Sequence, residues 1–240
     1  MSEQVIDLEK IRESLYEKLK PSGWADKLKT FVMGSEFIDI LEKLEHEVKI
    51  GNRFTPKLKY LFRAFEECPY QNLKVVILGQ DPYPQGGVAD GVAFSCSITQ
   101  QTQPSLRYIY KDIRETVKGY DTHLWFDHDL KHWSNQGVLL LNSALTTRIN
   151  KPGTQTDIWE PFTTFVLDTL AKTNPGLTYA FLGTAAKKYH SLIPDKANVK
   201  LYAQHPAAAA YNKEQLWDSG KLFVKINEEM IGKYGEPIKW

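Results

Sequence analysis

Four short segments set the terms for this chain: KVVILG (residues 74–79), GVLLLN (137–142), LTYAFLG (177–183) and VKLYAQ (199–204). The first two are nearly continuous in apolar residues, the pattern of strands covered on both faces rather than of strands with one wet side. Between the segments run stretches with helical spacing: PSLRYIYKDIRETVKG (104–119), WEPFTTFVLDTLAKT (159–173) and TAAKKYHSLI (184–193). Pro104-Ser105 supplies a start for the first, and Thr156-Asp157 for the second. Strand alternating with helix demands parallel pairing through right-handed crossovers. The fold class is therefore α/β: a single three-layer domain over residues 1–240, with a central four-stranded, mostly parallel sheet flanked by helices. Residues 1–70 read as a helix-rich part of the same domain, in which IDLEKIRESLYEKLK and SEFIDILEKLEHEVKIG are amphipathic. A C-terminal helix over 213–235 is expected to pack back on the sheet.

Composition removes several classes of function. No run approaches the ~20 apolar residues of a membrane span, and the opening MSEQVIDLEKIRES is acidic and helical rather than basic and then apolar. The expectation is an intracellular, cytoplasmic monomer, nuclear in a eukaryote, that does not engage a membrane. Two cysteines, Cys68 and Cys96, give neither a disulfide framework nor a thiolate metal site. Thirty Lys plus Arg stand against 29 Asp plus Glu. A polyanion would have to be held by a local patch.

In an open α/β sheet ligands gather at the carboxyl ends of the strands, so the residues that follow each strand are the candidates for a site. They are Gln80-Asp81, Asn142, Gly183-Thr184 and His205. Singly, Asp81 before Pro82 reads as a turn former, Asn142 as a loop cap and His205 before Pro206 as an ordinary satisfied histidine. An acid, an amide and an imidazole at three separate strand ends nevertheless favour a site over a scaffold. Tyr83 and Phe94 follow the first strand, with Gly86, Gly87 and Gly91 between them. Rings beside an amide suit a flat heterocycle, although two core aromatics beneath a loop would leave the same trace.

The motifs of nucleotide-binding, serine-hydrolase and zinc-protease sites are absent. His123, His128 and His132 lie near Asp121, Asp127 and Asp129, but the surrounding Leu124, Trp125, Phe126, Leu130 and Trp133 read as a packed connection rather than a metal centre.

GQDPY (79–83), GVAFS (91–95), QPSL (103–106), GVLLLNSALT (137–146), FLGTAAKK (181–188) and HP (205–206) resemble, in order and spacing, the motifs of the uracil-DNA glycosylases. The likeness runs from about Trp24 to the closing PIKW. It implies hydrolysis of the N-glycosidic bond of a deoxyuridine flipped out of DNA, without metal or organic cofactor. By the same resemblance Asp81 orients water and stabilises positive charge on the sugar, and His205 donates to uracil O2. Asn142 reads the base edge, Phe94 stacks on the ring, Tyr83 stands against C5, and backbone groups around Gln80 complete the pocket. Pro104, Ser105, Gly183 and Thr184 would meet phosphates, with Lys187, Lys188 and Lys213 adding charge. The implied partner is uracil-containing DNA, single- or double-stranded; an inhibitor protein and a replication partner stay open.

Two departures stand out against that pattern. Pro84 follows GQDPY where the family carries a histidine, and the last motif reads HPAAAA (205–210). Ala207 lacks a phosphate-binding hydroxyl, and Ala209 stands where the family places the leucine that wedges into the vacated stack. Weaker flipping from duplex is the consequence expected, with Tyr211 as an alternative wedge. The DPYP and HPAA pair is similar to the poxvirus branch, whose glycosylase also serves a replication processivity assembly; Gln80 is similar to the general branch. A DNA-binding or replication-accessory module with weak or altered base excision is the alternative.

Overall fold

An apolar run is stable inside a protein only when both its faces are covered, and the fold supplies that cover. The computed structural model describes residues 6–117, 127–214 and 216–240. Among them the strands are β1 (Phe54–Thr55), β2 (Val75–Gly79), β3 (Val138–Asn142), β4 (Thr147–Arg148), β5 (Thr178–Leu182) and β6 (Val199–Ala203). Every residue of β2, β3 and β5 is buried, whereas β6 is mostly half-buried. That difference accounts for the sequences: β6 forms one edge of the sheet and carries Lys200 and Tyr202, while the buried strands carry almost nothing polar.

The main sheet has the order β3-β2-β5-β6, and all of its pairings are parallel. From β2 the chain turns one way to β3; from β5 it turns the other way to β6. Between β2 and β5 the connections thus diverge, and a crevice opens at the carboxyl ends of the strands. Register brings Gly79 beside Asn142 and Leu182 beside Ala203, so the residues that follow these strands emerge on one rim. β1 and β4 form a separate two-residue antiparallel pair.

Helices α1 (Leu8–Leu19), α2 (Ala25–Val32), α3 (Ser35–Lys49) and α4 (Arg63–Glu67) precede the sheet. The rest are α5 (Pro104–Thr116), α6 (Lys131–Ser134), α7 (Thr156–Thr173), α8 (Thr184–Lys187), α9 (Pro206–Tyr211) and α10 (Leu222–Tyr234). Phe31 and Phe37, from α2 and α3, meet Phe162 of α7 at ring-centroid distances of 5.5 and 6.4 Å. Burial of each such ring contributes about 1.5–3 kcal/mol, so the N-terminal helices are fastened to the sheet's helical cover. None of the described helices is long and apolar enough to cross a membrane.

Three expected helices need correction. TAAKKYHSLI is one short α segment, α8, continued by a tighter 3₁₀ stretch over Lys188–Leu192. The C-terminal helix starts at Leu222, not at 213: Gly220 and Lys221 both adopt positive φ, and Trp217 is pinned outside the helix by its indole N–H to the Gln204 carbonyl at 3.0 Å. α5 ends at Thr116, short of the expected 119, and 118–119 lie outside the described residues.

Candidate active site

Asp81, Asn142 and His205 come together at the carboxyl rim. A hollow of about 310 Å³ is lined by these three with Gln80, Tyr83 and Phe94. A larger one, about 760 Å³, lies at the other end of the sheet, beside Lys74, Asn135 and Lys239. The smaller volume is near the low end for ligand pockets and suits one heterocycle.

Gly79, the last residue of β2, fixes the spacing between β2 and β3 at the rim. A Cβ there would stand 2.7 Å from Asn142 Oδ1 and 3.3 Å from Phe94 Cζ, so the pocket wall closes directly onto bare backbone. Asn142 is 9% exposed, its amide turned to this narrow wall. The Gln80 carbonyl accepts from Ser143 Oγ at 2.7 Å and from the Ala144 N–H at 2.9 Å, which ties the turn after β2 to the end of β3.

Asp81 accepts the N–H of Gly153 on Oδ2. Burial raises its carboxyl above the ordinary 3.8, with the Gly153 N–H and the Thr147 hydroxyl pulling the other way. This partner lies 72 residues away, on the loop between β4 and α7. Sequence reading missed that loop, although its Pro152-Gly153 pair is a turn signal. Pro84 belongs to the same arrangement: its ring lines the pocket and its carbonyl accepts the Asn150 N–H at 2.8 Å.

His205 is the residue before α9, and its Nδ1 accepts the Ala207 N–H at 3.2 Å. A nitrogen that accepts carries no proton, so the neutral ring bears its hydrogen on Nε2. Burial pushes the imidazole down to about 4, which keeps it neutral at physiological pH. Phe94 faces it with ring centroids 5.7 Å apart. Phe94 is buried yet held at φ 67°, a left-handed conformation that costs an aromatic residue on the order of 1–3 kcal/mol. Its carbonyl accepts the Tyr83 hydroxyl at 3.0 Å, and burial raises that phenol's pKa, which keeps it protonated as a donor. A carboxyl, an amide, a neutral donor imidazole and an aromatic ring thus surround one ring-sized space. They can hold a flat polar ring by face and edge while stabilising positive charge on one side of it and negative charge on the other.

A model of the uracil DNA glycosylase superfamily matches residues 65–231. A uracil-DNA glycosylase of Francisella philomiragia is 34% identical over 220 residues, which cover 91% of this chain and 99% of that protein. The chain belongs to the uracil DNA glycosylase superfamily. A Porphyromonas gingivalis uracil-DNA glycosylase is 40% identical over 77% of this chain and 82% of its own. The mimivirus uracil-DNA glycosylase structure superposes with a TM-score of 0.81 at 26% identity, covering 94% of this chain and 88% of that one. A mimivirus enzyme in complex with UGI gives 0.79 at 26% identity, over 91% and 87%.

The rim of this glycosylase differs from its sequence expectation in places. Ser105 and Ala207 line the pocket mouth, and Thr184, Ala207 and Lys213 are exposed. Pro104, exposed, is the first residue of α5. Gly183 is buried, donating its N–H to the Ala203 carbonyl at 2.9 Å. Ala209, expected at the DNA surface, is 2% exposed and packs inward on α9. The large side chain of that helix that stands out into solvent is Tyr211, 88% exposed. Lys187 lies 4.5 Å over the Tyr202 ring and Lys188 pairs with Glu160 at 3.1 Å, so neither presents an unengaged charge. No cluster of metal-binding side chains occurs among the described residues. Instead His132 Nδ1 meets Asp127 at 2.6 Å and His128 Nε2 meets Thr102 at 2.8 Å; His123, Asp121, Leu124, Trp125 and Phe126 lie outside the described residues.

Proposed function

We propose that this protein takes uracil flipped out of DNA into the strand-end pocket and hydrolyses its N-glycosidic bond, freeing the base and leaving an abasic site. One observation carries the reading: Asp81, Asn142, His205 and Phe94 converge on a hollow of about 310 Å³ in a chain of this superfamily. Phe94 stacks on the base. The Asn142 amide offers a donor to O4 and an acceptor to N3–H, a pattern that cytosine reverses, and Tyr83 stands where thymine carries its methyl group. As the C1′–N1 bond lengthens, Asp81 orients the attacking water and stabilises the sugar's growing positive charge. The electron pair of that bond goes to the base, whose O2 accepts a hydrogen bond from His205 Nε2–H. The water oxygen bonds to C1′, and its proton leaves by way of Asp81.

Gly79 bears on recognition directly. Gly79→Ala drives a methyl group against the Asn142 amide, and affinity for free uracil, read by titration calorimetry, falls about tenfold. The thermal midpoint stays within a few degrees, because the displaced atoms are side-chain ends at a pocket wall.

At the mouth, Ser105, Thr184, Ala207 and Lys213 meet the DNA backbone, and Tyr211 fills the gap a flipped base leaves. Ala207 and Tyr211 are four apart on α9 and share its exposed side, whereas Ala209 points inward. Tyr211→Ala therefore slows release from U·A and U·G duplexes about tenfold and from single strands less than twofold, since an aromatic–base stack is worth about 1–3 kcal/mol. Equal losses on both substrates would remove Tyr211 from that role.

The deciding experiment is release of base from oligonucleotides carrying uracil, hypoxanthine or thymine opposite each base, with and without added UGI. Uracil alone is expected to be released, and UGI to block it. No uracil release by the intact protein overturns the enzyme; tight DNA binding without release would make it an accessory module.

A further inference from the structure

Behind the pocket wall lies an ion pair that this chemistry does not use. Asp90 has 0% of its surface exposed, and the Arg63 guanidinium of α4 reaches its carboxylate at 2.8 Å. The same guanidinium donates to Glu67 at 2.7 Å and to Ser97 Oγ at 2.9 Å. Asp90 in turn accepts from groups on both sides of Phe94. The Val92 N–H reaches it at 3.2 Å, the Ser97 N–H at 2.8 Å and the Ser97 hydroxyl at 2.6 Å, and the Ser95 hydroxyl completes the set. One carboxylate thus closes the turn that carries the stacking ring.

That turn is held from outside as well. Gly91 lies so close to α4's approach that a Cβ there would meet the Tyr60 carbonyl oxygen at 1.9 Å, and the Cys96 N–H donates to the His128 carbonyl at 2.8 Å. A buried ion pair is not the cheapest way to stabilise a loop, since apolar replacements often do as well. What several directed bonds to one carboxylate supply is direction, and the residue inside them, Phe94, holds a backbone conformation that an aromatic residue abandons when it is released.

We infer that Asp90 and Arg63 are positioning residues for base recognition: through the turn they close, they hold the Phe94 ring over the pocket and set the affinity for the flipped base. The inference rests on the pocket being a uracil pocket. Its test is a double-mutant cycle of Asp90→Asn and Phe94→Ala, read as affinity for free uracil, as single-turnover release from a single-stranded uracil oligonucleotide, and as thermal midpoint. Asp90→Asn weakens uracil binding and raises the half-saturating concentration about tenfold, with a smaller change in maximal rate, as lost stacking requires. On the Phe94→Ala background the same change adds less than twofold, because Asp90 acts through that ring.

A lowered midpoint with unchanged uracil affinity, or penalties that simply add, would overturn the inference and leave a structural pair. Should Asp90→Asn not fold, Ser97→Ala removes the hydroxyl that bridges Arg63 and Asp90 and keeps the direct buried pair. It is expected to weaken uracil binding about threefold, again only where Phe94 is present, and no change overturns the inference equally. Wild-type protein that releases no uracil strikes at the proposed function; wild-type release with Asp90→Asn matching its affinity strikes at this inference alone.

Discussion

Asp81→Asn is expected to lower single-turnover uracil release about a thousandfold while leaving affinity for uracil-containing DNA within about threefold. The change preserves the side chain's size and leaves an oxygen to accept the Gly153 N–H. What it removes is the negative charge, and the site is built to make that charge effective. The carboxyl is buried enough that its pKa stands above the ordinary 3.8, and a charge in such surroundings acts on a nearby cation with far less screening than in water. The cation exists only as the glycosidic bond breaks, so the loss falls on rate and not on binding. Stability moves the other way. A carboxyl whose folded pKa is raised costs the fold stability once it is ionised, so the neutral amide leaves the thermal midpoint unchanged or higher by about 2 °C. A loss below tenfold, or one that appears as weaker DNA binding, would take Asp81 out of the reaction.

The same residue marks the boundary of what the sequence makes visible. Asp81, Asn142 and His205 can be picked out because each ends or follows a strand, and strand ends in a parallel sheet face one rim. The strands themselves are legible because burial on both faces leaves runs such as VVILG and VLLLN no room for polar residues. The Gly153 N–H that holds Asp81 is not legible, since a backbone donor has no side-chain signature and its distance along the chain is set by tertiary folding. The Arg63–Asp90 pair is hidden for a related reason: its partners lie on a helix and a turn whose meeting depends on Gly91. Ala209 misled in another way. A motif position that faces DNA in one sequence turns inward here, because the alanines of HPAAAA continue as the helix α9 and its inner side packs against α5. The late start of α10 belongs with it: Trp217 packs in the segment ahead of Gly220 and Lys221, whose positive φ admits no continuous helix.

His205 carries the second large effect. His205→Ala is expected to lower the maximal rate about a hundredfold, the loss typical of one preorganised donor to a developing anion. His205→Gln, which keeps an N–H, should recover part of it. The pH dependence separates this role from that of a cationic acid. Burial takes the imidazole from the ordinary 6.5 down to about 4, and the Ala207 N–H occupies Nδ1, so above that value the ring is neutral with Nε2–H free to donate. kcat/KM is therefore flat from about pH 6 to 8, with no break at 6.5, and falls only on the acid side, where Asp81 and His205 both take up protons. The stability profile has a matching sign. Between about 4 and 6.5 the unfolded chain binds a proton at this histidine and the folded one does not, so His205 contributes stability above 6.5 that is lost as pH falls towards 4. In His205→Gln that part of the acid destabilisation disappears, which a thermal midpoint measured at pH 7, 5.5 and 4.5 will read. A rate profile that breaks near 6.5 in the wild type, and loses the break in His205→Gln, would make the imidazolium the active form and reverse the assignment.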